Sequence, residues 1–185
     1  VSVRRSGQTL RGQKILIETA SAVYGPLVLP LLGPHQLENA ALAVATLEYL
    51  NDESPFAAGA DAVKTGLEAV RWPGRCQVLS EDPLVILDVA HNPNGARALA
   101  ASLKEIAKGK DVGLVAGLLS DKDCRGFVQP LSSMVKQCWA VPIQNERGMP
   151  AAELAACVRD AGIPVEERSL ADALADARGW AKENG

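Results

Sequence analysis

An aspartate, a histidine and an asparagine close an apolar run in P-L-V-I-L-D-V-A-H-N-P-N-G, residues 83–95. The stretch Leu84–Leu87 reads as a strand buried on both faces, the kind found in parallel sheets. In open α/β sheets, ligands bind beyond the carboxyl ends of the strands, so Asp88, His91 and Asn92 are offered to a ligand. A carboxylate at that place suits two adjacent hydroxyls, as ribose presents them, and a helix start just beyond it favours anions. The same residues fit a second role, with Asp88 and Asn92 capping a turn before the helix.

Two further constellations carry chemistry. In W-P-G-R, residues 72–75, an arginine follows a Pro-Gly hinge, and its planar guanidinium matches phosphate oxygens; an exposed linker arginine is the other reading. In G-P-H-Q-L-E-N-A, residues 33–40, His35, Gln36 and Asn39 crowd the first turn of a helix. A side-chain amide there can read a base edge, bridge to a neighbouring domain, or belong to an N-cap cluster. Both histidines of the chain lie in these motifs. The phosphate-holding pattern G-x-x-x-x-G-K-[ST] is absent, and no Ser-His-Asp order or paired-carboxylate motif stands out.

The elements that must position these residues are those of an ordinary globular chain. Its 185 residues are 48% hydrophobic, 22% charged and only 4% aromatic, so the core is built from Ala, Leu and Val. A net charge of −3 gives no electrostatic reason to expect nucleic acid or an anionic membrane surface. Arg4, Arg5, Arg11 and Lys14 make the first segment basic, as on a solvated strand face. No run approaches the roughly 20 apolar residues of a membrane helix, and no signal peptide is visible at the start. Cys76, Cys124, Cys138 and Cys157 are widely spaced and, with two histidines, do not form a zinc pattern. They read as free thiols in a reducing cytoplasm.

Residues 1–33 read as a meander of short strands at 1–5, 14–20 and 27–31, with Gly7, Gly12 and Gly25-Pro26 as punctuation. Helical spacing follows from His35 to Leu50, with Pro34 at the helix start, and again at 58–70. Residues 71–75 interrupt the periodicity and mark a domain boundary. Strands are then expected at 76–80, 84–88, 112–118, 137–143 and 164–168. Helices alternate with them at 96–107, 124–135 (shortened or kinked by Pro130), 151–161 and from a Ser169 cap to Asn184. The last helix should turn Leu170, Ala173, Leu174, Ala177 and Trp180 inward. This alternation predicts an α/β fold, a mostly parallel sheet with helices on both faces and right-handed crossovers. The chain ends on a helix with no strand to receive it, so a final strand is expected beyond it.

Taken in order, G-x-H-Q-x-x-N-A, W-P-G-R and D-x-A-H-N-P, the last opening thirteen positions after Arg75, resemble folylpolyglutamate synthase/dihydrofolate synthase of the Mur ligase superfamily. The resemblance covers nearly all of this chain but only the back portion of such a protein. It implies that residues 1–73 are the tail of the ATP-binding central domain with the interdomain linker. Residues 74–185 would form a Rossmann-like C-terminal Mur ligase domain. It further implies that Asn39 lies near adenine and ribose, that Arg75 reaches the ATP phosphates, and that Asp88 holds ribose or a nearby phosphate. His91 would stand close to the nucleotide and the reaction centre, and Lys122, in S-D-K-D at 120–123, near the incoming amino acid. Val89 replaces the glycine most often found in D-G-A-H-N-P, which leaves less room and backbone freedom at that turn.

The implied activity is ATP-dependent addition of L-glutamate to dihydropteroate or folates through an acyl phosphate. ATP and Mg2+ take part, with metal ligands in the N-terminal ATPase domain that this chain lacks. Further expectations are small-molecule substrates, no nucleic acid or membrane partner, a cytoplasmic monomer when intact, and no ligase turnover by these 185 residues alone. Two rival readings stay open: a non-catalytic α/β nucleotide-binding or regulatory module, and a doubly wound enzyme of another type.

Overall fold

A computed structural model describes residues 1–53 and 58–184. The chain divides into two compact units, residues 1–78 and 79–185. In the first, β1 (Ser2–Thr9), β2 (Gly12–Glu18) and β3 (Val23–Leu29) form an antiparallel sheet in that order. Alternation along β2 and β3 buries Ile15, Ile17, Tyr24, Leu27 and Leu29 on one face. These side chains form a core with Ala40 and Val44 of α1 (His35–Glu53) and Val63 of α2 (Ala60–Ala69). On the outer face Arg4 of β1 is paired to Glu18 of β2, beside the exposed side chains of Val23 and Val28.

Gly25-Pro26, read above as punctuation between strands, lies inside β3. Ile15 pairs with Leu27 and Ile17 with Tyr24, so residues 25 and 26 together oppose Leu16 in a β-bulge. Gly25 has φ +120°, and a Cβ there would lie 2.9 Å from the Ile15 carbonyl oxygen. The bulge accommodates a proline, which cannot donate to a regular ladder.

In the second unit β6 (Val112–Ala116), β7 (Val135–Ala140) and β8 (Val165–Glu167) form a parallel sheet in that order. Helices cover both faces, as expected. Cys138 and Ala140 of β7 point into a core with Ala96, Ala100 and Leu103 of α3 (Pro93–Ile106), Phe127 and Val128 of α4 (Cys124–Val128), and Leu154, Ala155 and Val158 of α5 (Ala151–Asp160). Trp139, one residue out of phase, packs on the other face against Ala173, Ala177 and Trp180 of α6 (Leu170–Asn184). Trp139 and Trp180 meet edge to face, ring centroids 6.3 Å apart. Gly113 makes room for them, since a Cβ there would lie 3.1 Å from both rings.

Three expectations are corrected. The strand at 84–88 exists as β5 (Leu84–Leu87), but it pairs with β4 (Gln77–Glu81) in a two-stranded sheet of its own. Only two residues join them, which makes a hairpin and excludes the crossover that parallel pairing needs. Ile86 packs on the α/β core while Leu87 is 45% exposed, so the strand is half-buried and not buried on both faces. In α6, Leu170 and Leu174 are exposed. Ala173, Ala177 and Trp180 lie within about 60° of one another around the helix, and the two leucines fall on the flank of that stripe. Finally, Cys124 and Cys157 are joined by a disulfide, their Cα atoms 6.5 Å apart, because α4 and α5 pack together. Cys76 and Cys138 are buried thiols.

Candidate active site

Each residue of D-V-A-H-N-P has a definite local task. Asp88 stands immediately beyond β5, and its Oδ1 accepts the Ala90 backbone N–H at 2.7 Å. The carboxylate is thus fixed by a turn of its own making. The His91 ring lies with Nδ1 2.9 Å from the Val89 carbonyl oxygen. A carbonyl only accepts, so Nδ1 carries a proton, and the acceptor of the matching tautomer is Nε2. Asn92 caps α3, its Oδ1 accepting from Gly95 N at 2.8 Å, and Pro93 takes the first helical position, where its missing N–H costs nothing. The capping reading and the ligand reading therefore divide between residues: Asn92 serves the helix, while Asp88 and His91 bracket the turn before it. Among non-glycine described residues only Cys76 and Lys108 have positive φ, so Val89 sits in ordinary backbone with its side chain half exposed.

A second turn lies against the first. Asp123 caps α4, accepting from Gly126 N at 2.8 Å. A Cβ on Gly126 would come within 2.5 Å of Pro93 Cγ, so the start of α4 abuts the start of α3. Lys122 reaches back to Asp121, Nζ to Oδ2 3.0 Å, with its side chain 28% exposed. That hydrogen bond holds the Asp121 carboxyl below its ordinary range, and the charges of Lys122 and Arg147 add to the effect. The loop is pinned by Ser120 N donating to Arg147 O (2.8 Å) and by Met149 N donating to Leu118 O (2.8 Å), around a bridge between Leu119 and Gly148. Gln144, Asn145, Glu146 and Arg147 line an open pocket of about 610 Å³ beside this pairing. Asp88, His91 and Lys122 thus share the second unit, on two turns at neighbouring helix starts.

Asn39 and Arg75 belong to the first unit. Asn39 is exposed in the first turns of α1, its Nδ2 donating to Gln36 Oε1 at 3.1 Å. Gln36 Nε2 donates in turn to His35 Nε2 at 3.0 Å. Arg75 is exposed in the tight turn where its N–H meets the Trp72 carbonyl at 3.3 Å. Gln13 is fully buried, and no sequence signal marks it. Its Nε2 donates to the Leu31 and Gly33 carbonyls at 2.7 and 3.1 Å, and its Oε1 accepts from Arg5 at 2.9 Å. It holds the loop that delivers α1, and so sets where Asn39 stands. No sequence signal marks Arg147 either, a lone arginine in a polar loop.

Comparison with known proteins identifies the family of the chain. A family model described as the Mur ligase, glutamate ligase domain matches residues 74–185. Folylpolyglutamate synthase of Lacticaseibacillus casei is 30% identical over 142 residues, 76% of this chain and 33% of that protein. The dihydrofolate synthase/folylpolyglutamate synthase of Mycobacterium tuberculosis is 38% identical over 136 residues, 70% of this chain and 27% of that one. The chain therefore spans about a third of the length of these relatives or less. Among solved structures, Mycobacterium tuberculosis folylpolyglutamate synthase complexed with ADP superposes with a TM-score of 0.83 at 32% identity, covering 96% of this chain and 39% of that one. Escherichia coli FolC in complex with DHPP and ADP gives 0.76 at 31% identity, covering 94% and 39%. The chain belongs to the Mur ligase family, in its folylpolyglutamate synthase/dihydrofolate synthase group, and matches the C-terminal portion of those proteins.

Proposed function

We propose that this chain supplies one side of the active site of an ATP-dependent ligase that adds L-glutamate to dihydropteroate, to folates, or to both, through an acyl phosphate. Residues 1–73 then serve as the tail of the ATP-binding domain and its linker, and 74–185 as the C-terminal domain. The observation that carries the reading is Asp88: a carboxylate fixed at a strand end by the Ala90 N–H, next to a capped helix start. The nucleotide complexes of the structural relatives support it.

In this reading Asp88 accepts from the ribose hydroxyls, Asn39 meets the adenine and ribose, and Arg75 swings its guanidinium onto the phosphates. The amine of glutamate attacks the acyl phosphate carbon and must lose a proton as the C–N bond forms, and the tetrahedral intermediate then breaks its C–O bond and releases inorganic phosphate. In this reading His91, its ring tethered through Nδ1 to the Val89 carbonyl, takes or relays that proton at Nε2. Lys122, held by Asp121, offers its ammonium to a carboxylate of the incoming amino acid. Among the described residues no group of three or more His, Cys, Asp or Glu side chains could hold a metal ion. The described residues do not by themselves fit a resident Mg2+, and no step here is routed through one. Among the described residues no helix is long and apolar enough to cross a membrane. A cytoplasmic monomer remains our reading for the intact protein.

The test is glutamate ligation by the full-length protein, with dihydropteroate and a folate monoglutamate as competing acceptors. Ligation that survives both Arg75→Ala and Asp88→Ala at near-normal rates would sink the site assignment. The preferred acceptor decides between the two synthase activities.

A further inference from the structure

The disulfide joins two helices whose preceding loops are themselves paired. Cys124 is the first residue of α4 and follows Lys122 and the capping Asp123 directly. Cys157 lies on α5, whose start follows the Gln144–Met149 loop. Those two loops are held together by the Ser120 N–H on the Arg147 carbonyl, the Met149 N–H on the Leu118 carbonyl and the Leu119–Gly148 bridge. Covalent bond and backbone pairing thus close one ring around the segment that carries Lys122. The helices do not need the bond in order to pack, because Phe127, Val128, Leu154, Ala155 and Val158 already bury that interface. Both cysteines are partly exposed, unlike Cys76 and Cys138. A disulfide that is accessible and dispensable for packing belongs with the exchangeable kind and not with structural staples.

We propose that Cys124 and Cys157 form a thiol–disulfide exchange site whose oxidation state sets how firmly the loop bearing Lys122 is held. The partner is a thiol of low molecular weight or a protein dithiol. Its thiolate attacks one protein sulfur, the Cys124–Cys157 bond breaks and the other sulfur leaves as a thiolate. A second thiol then displaces the mixed disulfide. Two thiols become one disulfide, and two electrons and two protons pass to the cysteine pair. The reverse step needs a small disulfide as oxidant. The link to glutamate use rests on the function proposed above; the exchange chemistry does not.

The protein is equilibrated in buffers of reduced and oxidised glutathione, alkylated without unfolding and digested. The oxidised arm should contain a cross-linked peptide pair at Cys124 and Cys157. In the reduced arm both should be alkylated while Cys76 and Cys138 stay unmodified. The amides of Ser120 and Met149, whose hydrogen bonds tie the loops, should exchange about fivefold faster when reduced. Cys157→Ser should reproduce the reduced behaviour, and the reduced natural protein gives the same readout with no substitution. A cross-link absent from every buffer, or one that survives excess dithiol in the native state, overturns the proposal. So do equal exchange rates in the two forms. In the ligase assay the KM for glutamate should rise on reduction with that for ATP unchanged. A changed exchange rate with an unmoved glutamate KM supports the exchange site and overturns the placing of Lys122 beside glutamate.

Discussion

Pro93 and Gly126 are in contact across the starts of two helices: a Cβ at position 126 would lie 2.5 Å from Pro93 Cγ and closer still to the Asp123 carboxylate. One missing methyl group therefore lets the turn bearing Asp88 and His91 lie against the loop bearing Lys122. Gly126→Ala gains about 1 kcal/mol of helix propensity. Against that stand overpacking of about 1–3 kcal/mol and a displaced Asp123 cap of about 1 kcal/mol. The net expectation is destabilisation by about 1–3 kcal/mol in urea unfolding. Adding Pro93→Ala should recover part of the loss, because the two sites share the clash. Additive effects in the double variant would show that the contact does not set the geometry.

Asp88 separates charge from shape. Asn at this position can still accept the Ala90 N–H through its Oδ1, so the turn survives Asp88→Asn. A hydrogen bond to a charged group is worth about 1.5–3 kcal/mol, which is roughly ten- to hundredfold in kcat/KM for ATP. Glutamate ligation by the full-length protein should fall by that factor while the unfolding midpoint stays put. An Asp88→Asn protein with normal ATP kinetics would remove the carboxylate from the nucleotide site.

Much of the fold is legible in the sequence because periodicity reports burial. The stripe Ala40, Val44 and Leu47 shows α1, and the apolar runs at 112–118 and within 137–143 show the parallel strands, the second of them set two residues earlier in the structure, at Val135–Ala140. The D-V-A-H-N-P turn is legible because it ends an apolar run with residue types that turns and ligands both use. What supports it is not. Gln13 looks like any surface glutamine, and it is buried only because the Leu31 and Gly33 carbonyls need a donor. The Cys124–Cys157 pairing spans 33 positions and follows from how α4 packs on α5, which no local pattern encodes. The isolation of β5 with β4 comes from a two-residue connection, whose effect on strand direction outweighs composition.

Gln13 carries a testable stability claim. In Gln13→Leu the Gly33 carbonyl keeps the Gln36 N–H, and Arg5 keeps Gln8, whereas the Leu31 carbonyl loses the Gln13 amide. An acceptor left unsatisfied in a buried place costs about 1–3 kcal/mol. Urea unfolding should report that loss, and faster amide exchange at Gln36 should show that the start of α1 has loosened. Unchanged stability would mean that water replaces the amide without cost.

Asp121 and Lys122 make an exposed pair whose pH behaviour has a definite sign. The Lys122 hydrogen bond depresses the Asp121 carboxyl below its ordinary value of 3.8, so the folded protein binds its proton less readily than the unfolded chain does. The pair's contribution is present above 3.8 and is lost as pH falls through the depressed folded value. The aspartate side chain is about half exposed, and solvent screening keeps the pair's effect on stability small. Carboxyl NMR should place the Asp121 midpoint below 3.8, and Lys122→Met should raise it. Arg147→Met should move it less, since Arg147 acts only through its charge at a distance. Added salt should raise the natural protein's midpoint as well, by screening. If Lys122→Met leaves the Asp121 titration where it was, Lys122 is not held in this pair and its ammonium has no fixed place from which to meet a carboxylate.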